Sequence, residues 1–269
     1  MMLIQYLVSI VYLWISLGGI IIFAVQRYTP LRNSPLIGNL VRFGKLSSPF
    51  KGKCTVSQVP KRFFVHFYFT AAVCVPTALV ASVFNNRSTF STTIVLLVLS
   101  CQSLKRLYEN LYVQIFSNSS MSLAHYFLGH FFYLTLPLCI YWSDVKSHNR
   151  SVAAVIGYLF FSVCVMFLQH LALRQLANTR KSAPKDKQSS YLLPKGSMFT
   201  YVTCPHFSLE ISLYVGTHVF LGFQWIPFSP VVIFVTLNQI CSGLLNHHWY
   251  EEHFPDFVKS RKALIPFVL

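Results

Sequence analysis

Long apolar runs alternate with short basic stretches along this chain. Residues 1–26, 63–86, 88–104, 110–143 and 151–173 hold no Asp, Glu, Lys or Arg, and 211–250 runs 40 residues without one. A bilayer-crossing helix needs about 20 apolar residues. The last run is broken at Pro227 and Pro230, so it holds parts of two helices. The pattern predicts seven transmembrane helices, at 3–25, 63–84, 91–112, 121–142, 152–174, 208–226 and 229–250. The first run lacks a basic start and a small-residue cleavage site, and it is long enough to span, so it is read as a helix and not a signal peptide.

Composition sharpens this picture. The chain is 54% hydrophobic and only 11% charged, where soluble domains carry about 25% charged residues. The 22 basic residues against 7 acidic ones give +15. They lie between apolar runs and not in one soluble domain, which reads as membrane topology; no nucleic-acid partner is expected. All but Arg87, Lys146 and Arg150 fall on one side of a seven-helix arrangement. Positive charge stays cytosolic, so the C-terminus is expected in the cytosol and the N-terminus in the lumen. Sequons stand at Asn86, Asn118 and Asn149, the first and last of them on the lumenal side. The seven cysteines (54, 74, 101, 139, 164, 204, 241) show no metal-ligand spacing, so neither a metal site nor a disulfide framework is expected.

Two acids fall within or at the edge of spans, Glu109 and Glu210. A carboxylate near lipid is costly and is a functional candidate by default. Glu109 follows Lys105 by four residues on one helix face, so an ion pair at a helix end is the plain alternative. Glu210 follows His206 by four, in the first turns of a helix opening near Pro205; an acid stabilised by the helix N-terminus is its plain alternative. Near the end of the seventh helix stand Asn246, His247, His248, Trp249 and Tyr250. Adjacent histidines on a helix point about 100° apart and do not make a zinc site. His247 and Tyr250 share a face, and a tyrosine is protonated at neutral pH and able to donate. The basic run from Lys259 to Lys262 serves equally as a topology anchor. No Gly-x-Gly-x-x-Gly or P-loop occurs, so a dinucleotide would lie in the cytosolic mouth of the bundle and not on a Rossmann domain.

The last 79 residues carry several polar motifs in order: Tyr191-Leu192-Leu193-Pro194-Lys195-Gly196, Phe199-Thr200-Tyr201-Val202, Phe207-Ser208-Leu209-Glu210, Asn246-His247-His248-Trp249-Tyr250, and Lys259-Ser260-Arg261-Lys262-Ala263-Leu264-Ile265-Pro266-Phe267. This signature resembles the steroid 5-alpha-reductase family, and the rest of the chain resembles it more loosely. The resemblance implies an all-α membrane bundle of about seven helices that uses NADPH to reduce a carbon–carbon double bond beside a carbonyl. It implies one reductase domain over 1–269, with helices 1–5 in 1–174 and a cofactor-binding part with helices 6–7 in 175–269. It places Lys105, Arg174, Tyr191, His206, Glu210 and Arg261 at the cofactor, and Tyr250, His247, Tyr108, His66 and Glu109 at the reacting end. The family's catalytic tyrosine near helix 3 corresponds to Tyr108 or Ser103. Where the family often has Asn, His206 stands here, and a second family arginine after Arg174 is Ala177.

The steroid branch carries a Gln-Glu pair in helix 2. Val59-Pro60-Lys61-Arg62-Phe63-Phe64-Val65-His66-Phe67-Tyr68 holds no carboxylate and resembles instead the polyprenol (polyprenal) reductase branch, with His66 and Tyr68 in place of the acid. That implies reduction of polyprenal to dolichal, in the conversion of polyprenol to dolichol for protein N-glycosylation, at the endoplasmic reticulum membrane. The partners implied are a long-chain isoprenoid, whose tail leaves the bundle sideways into the bilayer, and membrane lipid; no obligate protein partner is expected. A steroid or trans-2-enoyl-thioester reductase of the same family is the nearest alternative. A seven-helix carrier or receptor is the non-enzymatic one, and it leaves the polar C-terminal third unexplained. A membrane methyltransferase of related helical architecture is a third.

Overall fold

A computed structural model describes residues 2–28, 58–84, 88–116, 120–142, 150–182, 192–194, 196–223 and 227–269. The three sequon asparagines (Asn86, Asn118 and Asn149), Arg87, Lys146 and Tyr191 lie outside the described residues.

The apolar runs form seven helices, the last run giving two: α1 (Met2–Tyr28), α2 (Phe64–Phe84), α3 (Phe90–Tyr108), α4 (Leu123–Trp142), α5 (Val152–Lys181), α6 (Pro205–Phe220) and α7 (Phe228–His253), with a final turn α8 (Pro255–Val258). Five of these, α1, α2, α4, α5 and α7, are long and apolar enough to cross a bilayer. The exceptions have physical reasons. Helix α6 has only 16 residues, or ~24 Å at 1.5 Å per residue. Helix α3 is diluted by Ser91, Thr92, Ser100, Gln102 and Ser103, all of which are buried in the bundle. The fold is an all-α membrane bundle, with seven helices that are unequal in length and polarity.

Three helix boundaries depart from expectation. Helix α5 continues two turns past 174 to Lys181, because Ala172, Leu173 and Ala177 keep a buried face there. Helix α6 starts at Pro205, where a missing N–H costs nothing, and stops at Phe220. Helix α3 gives way after Tyr108 to a π-helical turn, Glu109–Val113, whose Glu109 carbonyl accepts from Gln114 N at 2.8 Å. The wider turn brings Glu109 and Asn110 both inward.

Helix α2 packs on α3 and α4, α5 on α6, and α7 on α1 and α6. A short antiparallel pair, β1 (Gln58–Pro60) with β2 (Ser120–Ser122), sets Val59 opposite Met121 and so ties the start of α2 to the start of α4. The core runs through Tyr12, Leu96, Leu99, Phe132, Leu136, Leu213, Phe228 and Val231. Tyr12 reaches a partner for its hydroxyl in Thr135 at 2.6 Å. The outer faces of α1, α2 and α5 expose Leu7, Trp14, Phe69, Val80, Phe160 and Phe167, as lipid contact requires and water does not favour.

The C-terminal segment wraps the start of α6. Thr203 N donates to Lys262 O at 2.9 Å, Cys204 N to Ala263 O at 3.0 Å, and Ser208 Oγ to Leu264 O at 2.6 Å. Leu264 seats over Gly243 of α7, where an added Cβ would lie 2.7 Å from Leu264 Cδ2. The absence of a side chain at Gly243 is what admits the tail.

Candidate active site

The start of α2, the end of α3, the start of α4, the end of α5, the start of α6 and the end of α7 meet around one cavity of about 350 Å³. In an alternating up-and-down bundle these six ends lie on one side. One part of the lining is aromatic and aliphatic, from Phe64, Phe67, Leu128, Phe132 and Phe234. The other is polar and cationic, from Lys61, Tyr68, Arg106, Asn110, Arg180, His206, Glu210 and Tyr250.

The polar wall is organised by Glu109, whose side chain is 0% exposed. It meets Lys105 Nζ at 3.2 Å, Arg106 Nη1 at 2.8 Å and His170 Nδ1 at 2.9 Å. A buried carboxylate is tolerable only with such partners. Arg106 turns its other arm to Tyr68, with Nη2 donating to the phenol oxygen at 2.7 Å and the guanidinium 4.8 Å from the ring centroid. Arginine donates only. The Tyr68 oxygen is therefore the acceptor, and its own O–H remains to donate. Arg106 Nε and Asn110 Oδ1 are buried and have no hydrogen-bond partner among the described residues. Both residues line the cavity, so polar capacity is left there for a ligand.

Joined to this wall through Gln102 and Gln169, Glu210 projects from the second turn of α6. Its Oε2 accepts from Gln169 Nε2 and from Gln102 Nε2, the latter at 3.3 Å. On α5, Arg180 donates through Nη1 to Ile115 O and adds a cation to the lining. Among the described residues no group of three or more His, Cys, Asp or Glu side chains has metal-binding geometry.

Residues 108–269, more than half the chain, match the family described as 3-oxo-5-alpha-steroid 4-dehydrogenase. A polyprenal reductase of Caenorhabditis elegans is 31% identical over 87% of this chain and 88% of the relative. The chain belongs to the 3-oxo-5-alpha-steroid 4-dehydrogenase family. Further relatives named polyprenal reductase are those of Danio rerio, 27% identical over 98% of both chains, and of Homo sapiens, 25% identical over 96% of this chain and 94% of the relative. Family membership makes the protein a membrane oxidoreductase, as its resemblance to the steroid 5-alpha-reductases implied.

Within this family member the structure gathers some of the expected residues and separates others. His206, Glu210 and Tyr250 line the cavity. Lys105 and Glu109 stand behind its wall, in the Arg106 network. Tyr108 is 55% exposed and faces outward, its ring 5.3 Å from that of Tyr112. His66 points to the α2–α4 seam, where Nδ1 meets Tyr126 Oη at 3.0 Å; Tyr68, two residues on, is the one that reaches the cavity. His247 turns to Thr203 Oγ1, at 3.1 Å from Nδ1. Arg174 is exposed and is not in the lining. Arg261 is used as a clamp. Its Nε donates to Phe199 O at 2.7 Å and its Nη1 to Phe257 O, with the guanidinium 4.3 Å from the Phe257 ring centroid.

Sequence reasoning read Lys61, Arg106 and Arg180 as topology charges, and left Gln102, Gln169 and His170 unremarked. One signal was available for Arg180. It lies three residues after Ala177 and seven after Leu173, on the apolar face of α5, whereas Arg174 is turned about 100° from Leu173.

Proposed function

We propose that this protein uses NADPH to reduce the α,β double bond of polyprenal to dolichal. The reaction would stand in the conversion of polyprenol to dolichol for protein N-glycosylation, at the endoplasmic reticulum membrane, with the C-terminus cytosolic. The observation that carries this reading is the two-ended cavity, cationic on one side and apolar on the other. Relatives across 87–98% of the chain named polyprenal reductase add to it.

The residues present fit a dinucleotide. Lys61, Arg106 and Arg180 are the groups to hold its phosphates, since guanidinium pairs readily with phosphate oxygens, and Arg106 Nε is buried with its hydrogen-bonding capacity unspent. Glu210 is an acceptor for a hydroxyl or amide of the ligand. When bound, NADPH supplies a hydride to the β-carbon of the enal. The double-bond electrons then move toward the carbonyl, and negative charge gathers on the aldehyde oxygen.

Tyr68 answers that charge. Its hydroxyl proton passes to the oxygen, giving the enol that becomes the saturated aldehyde. The phenolate left behind is held by the Arg106 charge and regains a proton from water at the cavity mouth. Tyr250, also in the lining, is the second phenol to test. A free allylic alcohol lacks the conjugated carbonyl and offers no such stabilisation, so the aldehyde is the direct substrate.

A long isoprenoid tail needs an apolar exit. A second cavity of about 330 Å³ lies between α1, α4 and α7, lined by Ile15, Gly18, Gly19, Ile20, Phe23 and Leu245. It shares His125, Leu128, Phe234, Asn238 and Ser242 with the first. This supports a lipid substrate entering sideways. The test is an assay of purified protein with NADPH against polyprenal, polyprenol and a 3-oxo-4-ene steroid. Turnover of polyprenal alone, or at far higher kcat/KM, is expected; preference for the steroid would overturn the substrate assignment.

A further inference from the structure

Two buried glutamines join α3, α5 and α6. Gln102 is 5% exposed and Gln169 3%. Gln169 Oε1 accepts from Lys105 Nζ at 2.8 Å and from Gln102 Nε2 at 2.9 Å. A lysine ammonium only donates, so the Gln169 atom facing it is the carbonyl oxygen. That fixes the amide, which would otherwise be free to flip. Its Nε2 must then face the other way, toward Glu210 Oε2 and, at 3.5 Å, His206 O. Gln102 is fixed by the same cation, which reaches its Oε1 at 3.4 Å, while its Nε2 turns to Gln169 and to Glu210.

Lys105 thus sets the sense of both amides, and both amides spend their N–H donors on one oxygen of Glu210. The other oxygen, Oε1, has no hydrogen-bond partner among the described residues, and Glu210 lines the cavity. Two donors on Oε2 also fix the plane of the carboxylate.

We infer that Gln169 and Gln102 are positioning residues that hold Glu210 so that Oε1 accepts an N–H or O–H of the bound ligand, and that Lys105 acts only through them. The inference rests on the reading of Glu210 as a cofactor contact. It names the ligand group as a neutral donor, a carboxamide or a hydroxyl, because an anionic group facing Oε1 would be repelled. It also moves Lys105 from direct contact to an indirect role, three hydrogen bonds from the ligand.

The experiment measures NADP⁺ affinity by titration calorimetry on the purified protein in nanodiscs, with apparent melting temperature recorded alongside. Gln169→Leu should weaken NADP⁺ about tenfold or more, the size of one hydrogen bond to a charged group. Lys105→Met should weaken it comparably in the wild-type background and add nothing once both Gln169 and Gln102 are Leu, since it reaches Glu210 through both amides. Neither change should weaken affinity further when Glu210 is already Ala, though any loss of melting temperature should persist. A merely structural glutamine would lower the melting temperature and cut affinity equally with or without Glu210, which would overturn the relay. A further loss from Lys105→Met on top of the Gln169→Leu, Gln102→Leu double change would overturn the indirect role of Lys105. Should Gln169→Leu fail to fold, Gln102→Leu makes the same test. If Glu210→Ala itself leaves NADP⁺ affinity unchanged, the cofactor reading of Glu210 falls and the relay with it; if Glu210→Ala weakens binding and Gln169→Leu does not, the relay alone falls.

Discussion

Glu109 is the most exposed to test of all the buried charges, because so much depends on one carboxylate. It is fully buried and lies within 3.2 Å of Lys105, Arg106 and His170. Glu109→Ala leaves the Arg106 and Lys105 charges half-buried without their shared counter-ion. Removing one partner of a buried ion pair costs about 3–5 kcal/mol. A chain of this size loses roughly 2–4 °C per kcal/mol, so the apparent melting temperature should fall by roughly 6–20 °C. Tryptophan fluorescence during heating in detergent measures this. Glu252→Ala is the control. Its partner His248 Nε2 is 3.2 Å away, but the Glu252 side chain is 56% exposed, so screening should hold the change within roughly 2 °C. Glu109→Gln keeps the shape and loses the charge, and should fall between the two. If Glu109→Ala melts within the same 2 °C as the control, the carboxylate does not organise the wall, and the placement of Arg106 against Tyr68 needs another cause.

Other outcomes follow from the same geometry. Tyr68→Phe should cost about 10²–10³ in turnover of polyprenal, as loss of one transition-state donor does, with NADPH affinity kept; Tyr108→Phe, on the outer face, should turn over normally. Arg180→Met should weaken NADPH binding about tenfold or more, the size of a charge-assisted contact, while Arg174→Met should leave it within about twofold, since Arg174 is outside the lining. Ser260→Cys should react with an impermeant maleimide in sealed microsomes from the cytosolic side; reaction only after the lumen is opened would reverse the topology.

The helices were legible because the bilayer imposes them. Runs without charge have few other solutions, and the six runs became seven helices. Charge was a poorer guide to their ends. Arg174 ended the predicted fifth helix, yet a helix leaving the membrane keeps its hydrogen bonds in water, and Ala177 gave α5 a buried face to continue on. The Lys105–Glu109 pair was visible as a four-residue spacing. Its third partner was not, since His170 lies 61 residues away and meets Glu109 only through tertiary packing. On α2 the choice between His66 and Tyr68 depended on which face turns inward. Neither face is distinctly polar, so period alone does not choose. Arg261 stood in a recognisable motif, but the carbonyls of Phe199 and Phe257 that occupy it leave no trace in the sequence. The π turn at Glu109 was likewise invisible, because its five residues read as ordinary helix.

The central claim is that hydride reaches the β-carbon of a conjugated aldehyde and not its carbonyl. Purified protein given polyprenal and NADPH deuterated at both C4 positions tests it directly, with the product analysed by mass spectrometry and NMR. Dolichal carrying one deuterium at the former β-carbon is expected. Deuterium at the aldehyde carbon, with polyprenol as product, would contradict it.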